Sequence, residues 1–209
     1  MTNELKTSLI RAGVYEYGEV DPKTVEFTEE VRKYCEDNVC RQYGKTWACP
    51  PAVGTVDECR ERARSFDKML VFSGKYDLED YTDFEAIHAA MTGFKSIARK
   101  LDEEVKPFLS DYLMLSNEGC GMCEVCTYPD APCRFPDRVH GSIEGYGIYV
   151  NKLAEMAGMN YNNGKNTVTF FGALLYNANH ELNTNADRNR ATTQGRPYTN
   201  RDGAREPRP

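Results

Sequence analysis

Four cysteines in the second half of the chain have the spacing of metal ligands. Cys120, Cys123 and Cys126 follow the pattern C-x2-C-x2-C, and six residues separate Cys126 from Cys133. Thiolates at this spacing turn inward from one tight loop, and a fourth from farther along completes the ligands of a four-iron cluster. A common bacterial pattern places its fourth cysteine sooner and directly before a proline, whereas Pro136 lies three positions after Cys133. The spacing predicts an iron–sulfur cluster, and its fourth ligand departs from the pattern.

Two other chemistries compete for these thiols. Zinc also binds C-x2-C pairs, but a structural zinc site normally takes its second pair from a distance, so three cysteines at this spacing suit zinc less well. A disulfide framework is typical of small secreted chains, and the amino terminus lacks a basic segment followed by an apolar one. Iron–sulfur ligation is therefore the favoured interpretation, zinc is the first alternative, and redox-active or disulfide-bonded cysteines come last.

Four more cysteines precede this loop along the chain. Cys35, Cys40, Cys49 and Cys59 are spaced C-x4-C-x8-C-x9-C. This spacing is less specific, because free cysteines are among the most commonly buried residues. Two observations favour ligation: four plus four cysteines suit two four-thiolate clusters, and a proline follows Cys49 as it follows many cluster ligands. All eight cysteines are therefore predicted to bind metal or cofactor.

Composition limits the class of protein. With 209 residues, 40% of them hydrophobic, the chain is long enough for one core and short for two domains. The net charge of −6 argues against nucleic acid as a partner, and no stretch approaches the ~18 apolar residues of a membrane helix. We expect a cytoplasmic protein, in whose reducing surroundings cysteines serve as ligands. Residues 1–182 should form the metal-binding domain, and 183–209 a disordered, polar, Arg-rich tail.

The elements that must position the cysteines alternate between strand and helix. Short apolar runs predict three strands, at residues 68–73, 112–115 and 167–176. Capping residues and apolar spacing predict four helices, at about residues 29–37, 56–65, 83–106 and 143–157. Residues 8–20 are predicted to be extended. The cysteine loop lies between the second strand of this set and the last helix.

This order is typical of an α/β fold with a small, largely parallel sheet of βαβαβ order, because crossover connections between parallel strands are right-handed. Ligands of such sheets gather beyond the carboxyl ends of the strands. Loop 120–133 follows a strand, and the helix starting near Val56 should point its amino terminus to the same end. We therefore expect the two Cys-rich loops at one edge of the sheet, unless the strands prove antiparallel.

The two cysteine motifs resemble those of a family of small prokaryotic proteins described as predicted metal-binding proteins of unknown function. The segments that carry the resemblance are Cys-x4-Cys with Tyr43-Gly44-Lys45-x-Trp47-x-Cys49-Pro50-Pro51, Gly119-Cys120-Gly121-Met122-Cys123-x-x-Cys126 with Pro132-Cys133-Arg134-Phe135-Pro136, and Ile143-Glu144-Gly145-Tyr146-Gly147-Ile148. The resemblance covers residues 8–178. It implies metal binding through the matching cysteines, often in anaerobes, and it implies no particular reaction.

Three functions are compatible with these observations. The first is electron transfer through two 4Fe-4S clusters to or from a redox partner protein, since no nucleotide-binding motif supplies a hydride donor. The second is an enzyme in which one cluster keeps an open iron. Its candidate substrate contacts are Lys45, Arg134, Asp137, Arg138 and His140. Basic residues beside a cluster more often offset its charge. The third is a zinc-stabilised interaction module without chemistry.

Overall fold

The computed structural model describes residues 1–177 and arranges them around one five-stranded sheet. The helices and strands are, in chain order, α1 (Asn3–Ala12), β1 (Glu16–Val20), α2 (Glu29–Glu36), α3 (Val56–Arg64), β2 (Lys68–Asp77), α4 (Phe84–Val105), β3 (Tyr112–Ser116), β4 (Gly141–Ser142), α5 (Val150–Met156) and β5 (Thr167–Tyr176). No helix in this range is both long and apolar enough to cross a membrane. The predicted tail, 183–209, and the end of the predicted domain at 182 lie outside the described residues.

The sheet has the strand order β1-β2-β5-β3-β4. β1 pairs with β2, β2 with β5 and β5 with β3, all antiparallel, while β3 and the two-residue β4 pair in parallel. The predicted α/β fold with a largely parallel sheet of βαβαβ order is therefore wrong. The sheet is mixed and mostly antiparallel.

The error lies in the direction of β5 rather than in its place in the sheet. β2 and β3 run in the same direction and are joined by α4, as in a βαβ unit, but β5 inserts between them and pairs antiparallel with both. An apolar run indicates that both faces of a strand are covered, and it carries no information on strand direction. β5 is the central strand that its apolar sequence predicts, with the opposite direction.

Helices cover the two faces of the sheet and form two apolar cores. The core under α1 and α4 includes Leu9, Phe72, Phe94, Leu101 and Leu174. The core under α3 and α5 includes Val56, Ala63, Val71, Leu153 and Leu175. Successive residues of β2 and β5 point into opposite cores, as the two-residue period of a strand requires. The cysteine regions pack outside these cores, around a small third cluster of apolar residues.

Three predicted helices are confirmed. Thr28 caps α2, and Thr55 and Glu58 form both hydrogen bonds of the capping box that begins α3. Asp83 accepts a hydrogen bond from the Ala86 N–H at 2.9 Å, which caps α4. Each of these helices begins at a residue whose side chain accepts a hydrogen bond from a backbone N–H two or three positions later.

The helix predicted after the cysteine loop begins later than expected. Residues 144–146 form a 3₁₀ turn, and α5 starts at Val150. Ser142 does not cap a helix; its Oγ accepts a hydrogen bond from the Gly145 N–H at 3.0 Å inside the turn. Gly147 then has a φ of 80°, in the left-handed region that interrupts a helix. Residues 8–20, predicted to be extended, contain the end of α1 as well as β1.

Candidate metal centre

The second cysteine loop, residues 120–133, begins with a tight turn around Cys120. Gly119 and Gly121 both have a φ of 69°, which glycine adopts without strain. A Cβ atom at Gly119 would lie 2.9 Å from Gln42 Oε1. Glycines on both sides of Cys120 thus let the backbone fold back on itself and approach the earlier cysteine segment closely.

The thiols of this loop lie near one another. Burial raises the pKa of Cys133, the Phe135 N–H that donates to its Sγ at 3.4 Å lowers it, and the nearby Cys126 and Cys123 raise it further. Burial also raises the pKa of Cys120, and the charge of the nearby Cys133 adds to this shift. Thiolates that repel one another in this way are stabilised together by a bound cation.

The first cysteine segment, residues 35–49, contributes three thiols from different local structures. Cys35 lies in the last turn of α2, Cys40 is exposed in the turn that follows, and Cys49 is buried in a loop. Burial raises the pKa of Cys35 to about 12, and the charges of Glu144, Cys49 and Cys40 add to this shift. Cys35, Cys40 and Cys49 therefore form one group.

Cys59, the remaining predicted ligand, occupies a different environment. It is fully buried among the apolar residues of the core under α3. Burial raises its pKa, and the charged groups that act on it are Arg62, Arg32 and Glu58. All eight cysteines are free thiols. Cys59 thus lies in the core under α3, whereas the other seven cysteines lie outside the two cores.

The two cysteine regions touch. The Gly119 N–H donates a hydrogen bond to Cys49 Sγ at 3.2 Å. Trp47 packs edge-on against Tyr128, with the ring centroids 5.0 Å apart, and its Nε1–H donates to Thr127 Oγ1 at 3.3 Å. The expected proximity of the two regions therefore exists in a sheet that is not parallel, and it is made by contacts between loops.

Two cations from α4 hold the start of the second cysteine loop. Lys95 Nζ donates to the Gly119 carbonyl and to Asn117 Oδ1, both at 3.0 Å, and also to the Glu118 carbonyl. Arg99 Nη2 donates to the Cys120 carbonyl at 2.6 Å. Burial lowers the pKa of Lys95. Both cations therefore lie against the backbone of the residues that begin the loop.

Sequence reasoning missed these two residues, although a signal for them was present. Lys95 and Arg99 are four positions apart and each follows an apolar residue of the α4 stripe, so they lie together along its edge. A lysine at such an edge can be buried only if its amine finds acceptors. The three acceptors are in the residues directly before Cys120.

The five predicted substrate contacts are not brought together. Lys45, Arg134 and Asp137 are exposed, and Arg134 donates to the Val125 carbonyl at 2.9 Å. A cavity of about 10 Å³ is lined by Arg138 and His140, together with Lys95, Arg99 and Cys120. That volume holds a single water molecule. Any larger substrate would require the loop to move.

His140 belongs to a buried polar network behind this cavity. Its Nε2 lies 3.6 Å from Asp102 Oδ2, which is an ion-pair distance and too long for a hydrogen bond. Tyr112 donates to Asp102 Oδ1 at 2.6 Å, and Lys106 Nζ lies 2.8 Å from Oδ2. Burial raises the pKa of Asp102, but these three neighbours outweigh it and lower the pKa to about 2. The network joins α4 and β3 to the residues after the loop.

Glu144 is a third residue that sequence reasoning missed. Its side chain is partly exposed, yet its Oε2 atom is buried and has no hydrogen-bond partner. Burial and the charge of Glu118 raise its pKa to about 7, and Lys95 opposes them. Glu144 lies in the first turn of the helix predicted at residues 143–157, where carboxylates are common, so the sequence did not mark it as a candidate ligand.

The residues fit a thiolate-bound metal centre in three respects. Thiolates are the ligands that iron–sulfur clusters and zinc prefer. Backbone N–H groups donate to Cys49 and Cys133, as at sulfurs that bind metal. Glu144 Oε2 is buried without a hydrogen-bond partner, and a bound cation would supply one. Within residues 1–177, no three His, Cys, Asp or Glu side chains are arranged to hold one metal ion.

The fold and its thiol-rich loops define a mixed α/β protein with a candidate metal centre at the junction of two cysteine regions. Residues 18–176 match the model of a family described as predicted metal-binding protein (DUF2284), and the chain belongs to that family. The resemblance to a family of predicted metal-binding proteins is thereby confirmed. No curated protein and no solved structure matches the chain.

Proposed function

We propose that this protein holds two 4Fe-4S clusters and transfers electrons to or from a partner protein in the cytoplasm. The observation that carries the proposal is the contact between the two cysteine regions, at the hydrogen bond from the Gly119 N–H to Cys49 Sγ. Because Gly119 directly precedes Cys120, a ligand of one cluster lies beside a ligand of the other. Single electrons pass readily between redox centres that are this close.

The second cysteine loop supplies the ligands of one cluster, and the first segment supplies those of the other. The proposed ligands are Cys120, Cys123, Cys126 and Cys133 for one, and Cys35, Cys40 and Cys49 for the other, with Cys59 as the fourth that the spacing predicts. When bound, such clusters accept and release one electron at a time. Two observations support this division: Cys49 and Cys40 raise the pKa of Cys35, and Cys126 and Cys123 raise the pKa of Cys133.

The remaining residues of the site adjust charge and access. Amide hydrogen bonds to Cys49 and Cys133 stabilise negative charge on sulfur, which raises a cluster's reduction potential. Lys95 and Arg99 bring positive charge to the backbone around Cys120. Reduction adds negative charge to a cluster, so these cations favour it. The chain thereby supports electron uptake.

Two exposed valines beside proposed ligands are available to a partner protein. Val39 is 87% exposed next to Cys40, and Val125 is 73% exposed next to Cys126. Each could be covered by an associating protein, although a single exposed apolar side chain does not define an interface. A partner that covers either valine would come within a residue of a proposed ligand.

A second candidate function is an enzyme with an open iron. The cavity lined by Arg99, Arg138 and His140 beside Cys120 favours it. Its volume of about 10 Å³ leaves room for water and not for a substrate in this conformation. Electron transfer needs no such room and is therefore the function that we propose.

The test is to measure iron, sulfide and zinc in protein prepared without oxygen, with its visible spectrum. We expect about eight irons and eight sulfides per chain, and a broad brown absorption that bleaches on reduction. Zinc without sulfide or colour would overturn the proposal and favour a zinc-stabilised interaction module. Bleaching that is reversed by a small substrate without any protein partner would favour the enzyme.

A further inference from the structure

Cys59 already has partners for its thiol. It lies on the inner face of α3 with Val56 and Ala63 and is fully buried. Its Sγ donates to the Val53 carbonyl at 3.4 Å and accepts from Arg32 Nη2 at 3.8 Å. Cys59 is thus held inside the core under α3, among apolar side chains and with its thiol already hydrogen-bonded. The first cysteine segment offers the three remaining thiols, Cys35, Cys40 and Cys49, and lacks a fourth ligand.

Glu144 has the opposite character. Its Oε2 is shielded from solvent and has no hydrogen-bond partner within the described chain. A buried oxygen without a partner carries a desolvation penalty that a bound cation removes. A carboxylate oxygen is also an ordinary metal ligand in proteins.

The turn that carries Glu144 packs on the first cysteine segment from two sides. The 3₁₀ turn Glu144–Tyr146 contacts α2, the helix that ends with Cys35. Ser142, two residues before Glu144, has its Oγ 3.9 Å from Cys49 Sγ and its N–H on the Ala48 carbonyl at 3.0 Å. The turn therefore lies between the segments that hold two of the three thiols.

Gly145 shows how close this packing is. A Cβ atom at Gly145 would lie 3.2 Å from Pro50 Cδ, in the loop that follows Cys49. Glycine at this position lets the loop lie directly on the turn, next to Glu144. Glu144 is also the charged group that most strongly raises the pKa of Cys35, so its carboxylate lies near that thiol.

We propose that Glu144, and not Cys59, is the fourth ligand of the metal centre formed by Cys35, Cys40 and Cys49. This inference rests on the proposed function, in which those thiolates hold a 4Fe-4S cluster. The two clusters then differ in kind: the second cysteine loop provides four thiolates, and the first segment provides three thiolates and one carboxylate. A carboxylate is a harder ligand than a thiolate and suits iron of a sulfide cluster less well. The iron bound to Glu144 is therefore the one that exchanges most easily.

The experiment compares three variants with the wild-type protein, all prepared and reconstituted without oxygen. Glu144→Gln removes the anionic ligand with little change of shape, Glu144→Cys replaces it with a thiolate, and Cys59→Ala removes the competing thiol. Iron and sulfide content, Mössbauer spectra and the electron paramagnetic resonance of oxidised and reduced samples are recorded. Circular dichroism checks that each variant is folded.

We expect Cys59→Ala to keep about eight irons and the wild-type spectra. Glu144→Gln should hold less iron, down to about four per chain if its cluster is lost, or should show the signal of a three-iron cluster after oxidation. Glu144→Cys should keep about eight irons, with a changed spectrum for one cluster only. Together these results support the inference.

Full iron content with wild-type spectra in Glu144→Gln would overturn it, and so would loss of one cluster in Cys59→Ala. If Glu144→Gln fails to fold, Glu144→Cys decides the question, because wild-type spectra in that variant mean that position 144 does not touch the cluster. Failure of the proposed function is separate: it is a wild-type protein that binds no iron and sulfide at all.

Discussion

The two cysteine regions of this protein are built in different ways. The second loop takes its four thiols from residues 120–133, a single stretch of chain turned by flanking glycines. The first segment takes its thiols from the end of a helix, a turn and a loop. Its Cys49 Sγ contacts the Oγ of Ser142, which is 93 residues later in the chain. A site made within one loop can be recognised from spacing. A site made by tertiary contacts depends on neighbours that spacing cannot identify.

Removing one thiol from each region should give the largest and the most unequal effects. Cys123→Ala should remove about half of the bound iron, because Cys123 and the other proposed ligands of its cluster all lie in one loop. Cys49→Ala should remove more than half, because Cys49 Sγ also accepts the hydrogen bond from Gly119 in the second loop. Iron and sulfide analysis under anaerobic conditions measures both.

Glu124→Gln is the matched control, since Glu124 is an exposed neighbour of Cys123. It should keep the wild-type iron content. Equal losses in Cys49→Ala and Cys123→Ala would mean that the two regions assemble their metal independently.

Trp47 joins the two regions and should be the next most sensitive residue. It is 5% exposed, and it packs on Tyr128 and donates to Thr127 across the junction. Trp47→Ala should lower the free energy of unfolding by about 3 kcal/mol through lost packing. Trp47→Phe, which keeps a ring and loses the hydrogen bond, should cost about 1 kcal/mol. Urea unfolding followed by circular dichroism gives both values, and equal costs would mean that the ring contributes little.

The network around Asp102 should make the support of the second loop sensitive to acid. Its pKa is lowered to about 2 in the folded protein, from 3.8, so the stabilisation is complete well above pH 4 and is lost as the pH falls toward 2. Between pH 6 and pH 3 the loss should be about 1 kcal/mol. Beside the first segment, Glu144 has the opposite shift, a pKa raised to about 7, so its contribution to stability increases as the pH falls from 6 to 3.

Asp102→Asn serves as the control for this prediction. The difference in unfolding free energy between wild type and variant, measured at pH 6 and at pH 3, removes any contribution from acid loss of bound metal. A difference that stays constant across this range would contradict the assigned role of Asp102.

Cys59 should give the smallest effect and should affect stability rather than metal content. Cys59→Ala removes one sulfur from the core under α3 and should lower the free energy of unfolding by about 1 kcal/mol. Cys59→Ser should cost less, because its hydroxyl can keep the hydrogen bonds to the Val53 carbonyl and to Arg32. Thermal and urea unfolding of the two variants measure the order, and lower stability of the serine variant would mean that these hydrogen bonds contribute little.

The capped helices α2, α3 and α4 and the apolar central strand β5 could be predicted because their signals are local. Thr28, Thr55 and Asp83 begin helices through hydrogen bonds to residues two or three positions away. The direction of β5 could not be predicted, since an apolar run packs equally well in either direction. The late start of α5 was missed because the glycines of residues 145–147 serve a close packing contact as well as a turn.

The sequence by itself determined the kind of chemistry. Thiol type and spacing within residues 120–133 are properties of the covalent chain, and they indicate a metal-binding loop whichever way the sheet is built. Only the tertiary structure decided which cysteines lie in a core and which lie at the contact between the two regions. It placed Cys49 against Gly119, buried Cys59 in the core and brought Glu144 to the first segment. These pairings join residues far apart in sequence, and their distances depend on how helices and loops pack around the sheet.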